Sequence, residues 1–194
     1  MSDYVVDEFD DIEIPMYIDK REKGYLKVYS EEQAKALYAE EKALWKKRVV
    51  TLEVKEKLTE EEEKEKIELK TKIESDREVQ EHLIKEMTVW KKPDGAADEY
   101  INQKGWDRND VTGKTKYNPP QYDRAFMAVL LKSWTLDKDS PKLKLTFMPM
   151  PGFQDRHMLS VESINNIWGL KHEILNFLNT IPYKVIFKEK LTKK

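Results

Sequence analysis

The sequence predicts a mainly α-helical fold with a small N-terminal β-hairpin: an α+β chain with a helical core and a long charged helical arm. Three patterns predict it. Apolar residues recur at helical spacing in 30–52 and 122–134. Strict alternation of apolar and polar residues, which is typical of strands, is confined to short segments. No Gly or Pro interrupts 59–90. Charged residues form 37% of the 194 residues, against about a quarter in an ordinary globular domain, so the excess must lie on solvated surfaces.

The chain length predicts one domain with an appendage, because domains average about 150 residues. Composition divides the chain into four segments. Residues 1–52 hold a strand pair and a first helix, and residues 53–92 form the charged helical arm. Residues 93–121 are a turn-rich connection, and residues 122–194 hold the C-terminal core helices and a basic tail.

The N-terminal hairpin is predicted from two short alternating runs. Ile12–Ile18 places Ile12, Ile14, Met16 and Ile18 on one face, and 24–29 alternates in the same way after a polar turn. Pro15 lacks an amide proton, which predicts an edge strand.

The first helix is predicted to begin at Ser30. Ser30 and Gln33 have the spacing of a capping box. The residues that recur at helical spacing after it are Ala34, Leu37, Tyr38, Leu44 and Trp45. The following run, 49–54, is rich in β-branched residues and fits either a strand or a continuing helix, of which the helix is favoured.

The charged arm is predicted from a second capping box, Thr59 with Glu62. Residues 53–92 contain 13 acids and 10 bases. A helix from 59 to 90 would be a rod about 48 Å long at 1.5 Å per residue. Its apolar residues are sparse, so a solvated helix or helical hairpin that packs one narrow face is the favoured interpretation, and a partner-binding coiled coil is the alternative.

The C-terminal segments are predicted from turn signals and periodicity. Residues 93–121 are rich in Gly and Pro and read as a long connection with one helical turn near 98–103. The run 122–134 is the most apolar helix, and a second amphipathic helix is predicted from Ser160 to Pro182. A last strand, 183–187, and a basic tail, 188–194, complete the expected order.

Composition excludes several classes of protein. The longest apolar runs fall far below the roughly 18 residues of a membrane helix, so no membrane partner is expected. A net charge of −2 makes nucleic acid an unlikely ligand by charge alone. The acidic N-terminus lacks a secretory signal pattern, and the absence of cysteine fits a reducing compartment. These features predict a cytoplasmic protein.

Catalytic patterns are also missing from the sequence. The three histidines, His82, His157 and His172, lie far apart and have no metal-ligand spacing. Gly113-Lys-Thr115 lacks the first glycine that a phosphate loop requires. The sequence therefore predicts a protein that is not an enzyme, with no cofactor and no metal.

Two segments carry a resemblance to a known family. The string 122–137, YDRAFMAVLLKSWTLD, precedes a polar turn and an amphipathic helix that opens with Leu159-Ser-Val-Glu-Ser-Ile164. This order resembles the tail assembly chaperones of long-tailed bacteriophages. The strand 12–18 and the segment Lys57-Leu-Thr-Glu-Glu61 are similar to other parts of the same pattern, so the resemblance covers about half of the chain.

The resemblance implies a non-enzymatic protein that binds the largely helical tape-measure protein in the host cytoplasm during tail assembly. Such a client needs apolar anchors at helical spacing, and self-association is a further possibility. The residues expected to contact the client are Trp134, Leu136, Ile164, Trp168, Ile174 and Leu178. Two alternatives stay open: a structural component of the virion tail or neck, and a nucleic-acid-associated regulatory protein.

Overall fold

A computed structural model describes residues 11–21, 26–109, 111–138 and 140–181. The N-terminal acidic residues 1–10, the predicted strand 183–187 and the basic tail lie outside the described residues. The strands are β1 (Ile12–Asp19), β2 (Lys27–Tyr29), β3 (Ile84–Trp90), β4 (Trp106–Arg108), β5 (Thr115–Tyr117), β6 (Leu131–Trp134), β7 (Phe147–Met150) and β8 (Phe153–Leu159). The helices are α1 (Glu31–Glu53), α2 (Glu60–Glu74), α3 (Gly95–Gly105), α4 (Pro119–Leu130), α5 (Val161–Trp168) and α6 (172–181).

The fold is α+β, and the predicted class, mainly α with a small hairpin, is wrong. Of the described residues, 52% are helical and 23% lie in strands. A four-stranded antiparallel sheet has the order β2-β1-β3-β6, and β4-β5 and β7-β8 form two-stranded ribbons. The sequence signal for the extra strands was weak because most of them are only three or four residues long.

The largest error concerns the charged arm. Helix α2 ends at Glu74, and the predicted helix 75–90 is instead a loop followed by β3. In β3 the side chains of Glu86, Thr88 and Trp90 are buried, which is the alternation of a strand. Two of its three buried side chains, Glu86 and Thr88, are polar, so a search for apolar periodicity missed the strand.

The chain divides into two compact units. Among the described residues, unit 1 comprises those of 11–16 and 86–181, and unit 2 comprises those of 17–85. The boundary between them falls within β1 and within β3.

Unit 1 has its core around α4. Residues Ala125 to Leu130 of α4 are all buried, and the Phe126 ring lies 6.1 Å from the buried Trp90 ring. Gly105 of α3 permits the close approach of α4, because a Cβ there would lie 2.8 Å from Cδ2 of Tyr122. The remaining buried apolar residues of the C-terminal part are Leu131, Trp134, Leu136, Met150, Met158, Leu159, Ile167, Ile174, Phe177, Leu178 and Ile181.

Polar bonds fix the sheet strands of unit 1. The indole of Trp90 donates to the Thr88 hydroxyl at 2.8 Å, and that hydroxyl donates to the Ile14 carbonyl at 2.9 Å. The Thr135 hydroxyl donates to the Glu86 carboxylate and accepts from the Met87 amide at 2.9 Å. These bonds satisfy polar groups that would be costly to bury unpaired.

Two predicted helices of unit 1 are shorter than expected. The helix predicted for 122–134 ends at Leu130, because 131–134 forms β6 and pairs with β3 through Thr88↔Trp134. The helix predicted from Ser160 to Pro182 is interrupted: α5 ends at Trp168 with Gly169 as its cap, and α6 begins at residue 172. The segment 147–159, for which the sequence predicted no helix or strand, is the β7-β8 ribbon, whose turn contains Gly152 at φ 83°.

Unit 2 is a β-hairpin followed by a helical hairpin. Strand β1 pairs with β2 through Tyr17↔Tyr29, and the residues that form a small core are Tyr17, Ala34 and Leu83, with Tyr29 and Val79 against them. Helix α1 continues through 49–53, as predicted, and both predicted capping boxes are confirmed, at Ser30 with Gln33 and at Thr59 with Glu62. No side chain of α2 is fully buried.

Candidate protein-interaction surfaces

Four of the six predicted contact residues lie in the core of unit 1. Trp134 is 6% exposed, Leu136 3%, Ile174 8% and Leu178 0%. Their burial means that they contribute to the folded core, and the Trp134 indole donates to the Leu143 carbonyl at 2.8 Å. Without a rearrangement of unit 1 these side chains cannot contact a client.

Ile164 and Trp168 are half-buried on α5. The Arg124 guanidinium of α4 lies 4.8 Å from the centre of the Trp168 ring. That distance is typical of a cation–π contact. The part of the predicted set that remains accessible is therefore small, and the Trp168 ring already contacts Arg124 within unit 1.

The three histidines do not converge. His157 is exposed on β8, His172 begins α6 and lies 2.8 Å from the Asn176 amide nitrogen, and His82 precedes β3. Among the described residues, no group of three or more His, Asp or Glu side chains has the arrangement of a metal site. Within the same residues, no helix is long and apolar enough to cross a membrane.

The helical hairpin of unit 2 carries an uncovered apolar surface. Ion pairs on its edges join α1 and α2. Arg48 forms a bidentate pair with Glu65 at 2.9 and 2.8 Å, and the Lys70 ammonium lies 2.6 Å from the Glu53 carboxylate. Several apolar side chains of the hairpin are exposed, namely Leu44 at 64%, Val50 at 58%, Val54 at 79% and Ile67 at 67%.

One side of the helical hairpin forms a cleft of about 400 Å³, here called the aromatic cleft. It is lined by Tyr38, Glu41, Trp45, Thr71, Lys72, Ser75, Arg77, Gln80, Glu81 and His82. The Tyr38 and Trp45 rings meet edge to face with centroids 5.9 Å apart. The Lys72 ammonium lies 5.9 Å from the centre of the Trp45 ring.

Hydrogen bonds hold the aromatic cleft in shape. The Tyr38 hydroxyl lies 3.2 Å from the Ser75 hydroxyl, and the Lys42 ammonium donates to the Ser75 carbonyl at 3.0 Å. The Gln80 amide donates to the Glu41 carboxylate at 2.8 Å. A cleft with a preformed wall loses less side-chain entropy when a partner binds.

Charged groups of both signs surround the aromatic cleft. The Arg77 guanidinium pairs with the Glu81 carboxylate at 2.8 Å. This hydrogen bond lowers the pKa of Glu81 and raises the pKa of Arg77. Both groups are therefore charged at neutral pH and give the cleft a positive and a negative rim position.

A second hairpin cavity has a volume of about 430 Å³ and is here called the valine groove. It is lined by Lys46, Val49, Val50 and Glu53 of α1 and by Lys70, Ile73 and Glu74 of α2. It shares no residue with the aromatic cleft. The centre of the α1 wall is apolar and its ends are charged.

Unit 1 exposes an aromatic ribbon, β4-β5. Trp106 pairs across the ribbon with Tyr117, and their ring centroids are 5.4 Å apart. Trp106 is 48% exposed and Tyr117 38%. From Tyr117 the ring contacts continue inwards to Tyr122 at 5.7 Å and then to Phe126 at 6.3 Å. The exposed pair is thus anchored to the core of unit 1.

Sequence reasoning placed Tyr38 and Trp45 on an apolar stripe but did not recognise a cleft. The stripe itself is only partly correct, because Ala34 and Tyr38 are buried whereas Leu44 is mostly exposed. The signal that was available is the pair of aromatic residues seven positions apart, two helical turns, with Lys42 between them. The partner wall, α2 and 75–82, could not be placed because the whole segment up to Trp90 was predicted to be helical, as one helix or a helical hairpin.

Comparisons with known proteins give no assignment. No protein-family model, no curated protein and no solved structure matches this chain. The function must therefore be argued from the residues and the geometry of the chain itself.

Proposed function

We propose that the chain is a non-enzymatic tail assembly chaperone of a long-tailed bacteriophage, which binds the helical tape-measure protein in the host cytoplasm while the tail is built. The single observation that carries the proposal is the aromatic cleft of unit 2. The resemblance of 122–137 and 159–164 to that family supports it independently. The predicted contact residues in the core of unit 1 are replaced, in this proposal, by those of the cleft.

The composition of the aromatic cleft suits protein recognition. Tyr, Trp and Arg are the residues that contribute most to binding energy at protein interfaces, and Tyr38, Trp45 and Arg77 line the cleft together. An amphipathic client helix could place one apolar side chain against the rings and charged side chains against Lys72 and Glu81. This is recognition of a helix by a groove, in which a few anchors supply most of the affinity.

The proposal is tested by co-expression of the chain with a candidate tape-measure protein. We expect the two proteins to co-elute, and we expect the client to be more soluble in the presence of the chain. Lys72→Glu reverses a charge at the cleft. The amount of client that co-elutes with this variant should be at least about tenfold lower. Lys64→Glu, on the same helix but outside the cleft, is the matched control and should bind normally. Absence of co-elution with the wild-type chain would refute the proposal.

The first alternative is a structural component of the virion tail or neck. It predicts that the chain remains in purified mature particles, whereas a chaperone leaves before assembly is complete. Mass spectrometry of particles distinguishes the two, because a stoichiometric peptide signal from this chain favours the structural role.

The second alternative is a nucleic-acid-associated regulatory protein, and the β4-β5 ribbon favours it. Exposed aromatic rings beside Arg108 and Lys116 have the composition of a surface on which unpaired bases stack. Phosphate contacts would make the affinity fall with salt. A mobility shift with single-stranded DNA that disappears in Trp106→Ala supports this alternative, and an absent or salt-insensitive shift removes it.

A further inference from the structure

The valine groove is a separate apolar surface that has no role in the proposed client binding at the aromatic cleft. Val49 at its floor is 7% exposed, whereas Val50, the next residue, is 58% exposed. The groove therefore continues from a packed apolar floor to an uncovered apolar edge. Burial of an exposed valine in a contact removes apolar surface from water, which is favourable.

Of the two charges at the ends of the α1 wall, one has no partner among the described residues and the other keeps an oxygen available. The Lys46 ammonium makes no ion pair and no hydrogen bond with any of the residues described. Glu53 binds Lys70 at 2.6 Å and has Lys66 at 4.0 Å, both through the same oxygen, Oε1. Its side chain is 41% exposed, and a carboxylate can accept further hydrogen bonds at its second oxygen.

The spacing of these two charges makes the groove self-complementary. Lys46 and Glu53 are seven residues apart on α1, which is two helical turns and about 10 Å along the axis. They therefore lie on one face, with Val49 and Val50 between them. When two such faces meet with their helices antiparallel, each lysine lies opposite a glutamate. When the helices are parallel, each lysine lies opposite a lysine.

We propose that a second copy of this chain occupies the valine groove, with the two α1 helices antiparallel about a two-fold axis near Val50. In this dimer Lys46 of each copy pairs with the partner's Glu53, and the two Val50 side chains meet near the axis. The contact is isologous, so both copies use the same surface. It leaves the aromatic cleft free and does not depend on whether the client is the tape-measure protein.

Introduced cysteines test the geometry, because the native chain contains none. A disulfide needs Cα atoms about 4.4–6.8 Å apart, which residues near a two-fold axis satisfy. Val50→Cys should therefore form a covalent dimer rapidly under mild oxidation. The matched control is Leu44→Cys, which is equally exposed on the same helix but lies off the groove, and it should remain largely monomeric. Equal cross-linking of the two variants, or none in Val50→Cys, would overturn the proposal.

Charge exchange tests the pairing. In a homodimer of Lys46→Glu, a glutamate faces a glutamate on both sides of the axis. In a homodimer of Glu53→Lys, a lysine faces a lysine on both sides. Each substitution should therefore raise the dimer Kd about tenfold or more in sedimentation experiments. An equimolar mixture of the two variants restores both attractive contacts and should form a heterodimer with nearly the wild-type Kd. This rescue also shows that both variants are folded. A wild-type chain that stays monomeric at high concentration, or a mixture that does not dimerise, would contradict the proposal.

Discussion

Helices α4 and α2 differ more than their lengths suggest. Helix α4 has 12 residues and buries six in succession, from Ala125 to Leu130. Helix α2 has 15 residues and buries none fully, and its four first-turn residues are all glutamates. One helix is packed on all sides over its last two turns, and the other has no fully buried side chain and exchanges ion pairs with α1 along its edges.

The difference between the two helices suggests that the stability of the fold and the binding of a partner depend on different units. Packing in unit 1 involves many contacts that are hard to replace, because protein interiors are close-packed. The helical hairpin of unit 2 keeps apolar and aromatic surface accessible, and its ion pairs are exposed and individually weak. We infer that unit 1 supplies a stable core and that unit 2 supplies the binding surface. The predictions below test this division.

The largest expected effect is at Phe126, which is 1% exposed. Phe126→Ala removes a ring packed between Trp90 and Tyr122 and leaves a cavity. The free energy of unfolding should fall by about 3–5 kcal/mol, measured by chemical denaturation. The matched control is Ile67→Ala on α2, which is 67% exposed and should cost less than about 0.5 kcal/mol. Similar costs at the two positions would contradict the division.

The next effect is at the start of α2. The Thr59 hydroxyl accepts from the Glu62 amide at 3.2 Å, so Thr59→Ala removes half of a capping box and should cost about 1 kcal/mol of local helix stability. Amide hydrogen exchange in 60–74 should accelerate while exchange in 125–130 does not change. The control is Thr71→Ala, whose hydroxyl bonds only to the Ile67 carbonyl within the helix. If Thr71→Ala accelerated exchange as much, the cap would not be what stabilises α2.

A smaller effect depends on pH and belongs to unit 2. The Arg21 guanidinium and backbone amide donate to the Asp19 carboxylate, and the side-chain bonds lower the pKa of Asp19 from 3.8 to about 2. Because the pKa is lower in the folded state, the carboxylate stabilises unit 2 above about pH 4, and this stabilisation is lost as the pH falls towards 2.

Asp19→Asn should therefore destabilise unit 2 near neutral pH by about 1 kcal/mol or less. The difference from the wild type should shrink between pH 4 and pH 2, measured by thermal unfolding at each pH. Asp76→Asn, an exposed acid of the same unit, serves as the control and should have little effect. A difference between Asp19→Asn and the wild type that is constant across this range would contradict the assignment.

The smallest effect is the coupling between Arg48 and Glu65. A double-mutant cycle with Arg48→Ala and Glu65→Ala should give an interaction energy of about 0.2–1 kcal/mol, as for other exposed pairs. The coupling should decrease in 1 M salt because the screening length falls to about 3 Å. A coupling energy above about 2 kcal/mol, or one that salt leaves unchanged, would show that α2 is held more firmly than the division allows.

Local signals in the sequence predicted part of the fold. The two capping boxes and the β1-β2 hairpin follow from side chains within a few residues of each other, and they are present as predicted. The strands β3 and β6 were missed because a strand depends on a partner that is distant in the chain. Val89 pairs with Ser133 across 44 positions, and nothing local in either segment identifies the other.

The charged composition of 53–92 also misled the helix prediction. Glu81 and Lys85 have the spacing of a helical ion pair, but Glu81 pairs with Arg77, and Lys85 lies in β3. Four of the six predicted contact residues are buried in unit 1 for a related reason: a helical apolar stripe indicates burial without telling whether the neighbour belongs to the same chain. For Leu178 and Trp134 the covering neighbours belong to the same chain.

The most direct test of the division is hydrogen exchange, measured by mass spectrometry, of the chain alone and mixed with the proposed client, a tape-measure protein. The account predicts that peptides covering 31–53 and 60–82 gain protection in the complex, because they form the aromatic cleft. Peptides covering 119–134 should be protected to the same degree in both states. Protection gained only in unit 1, or no change in unit 2, would contradict the account.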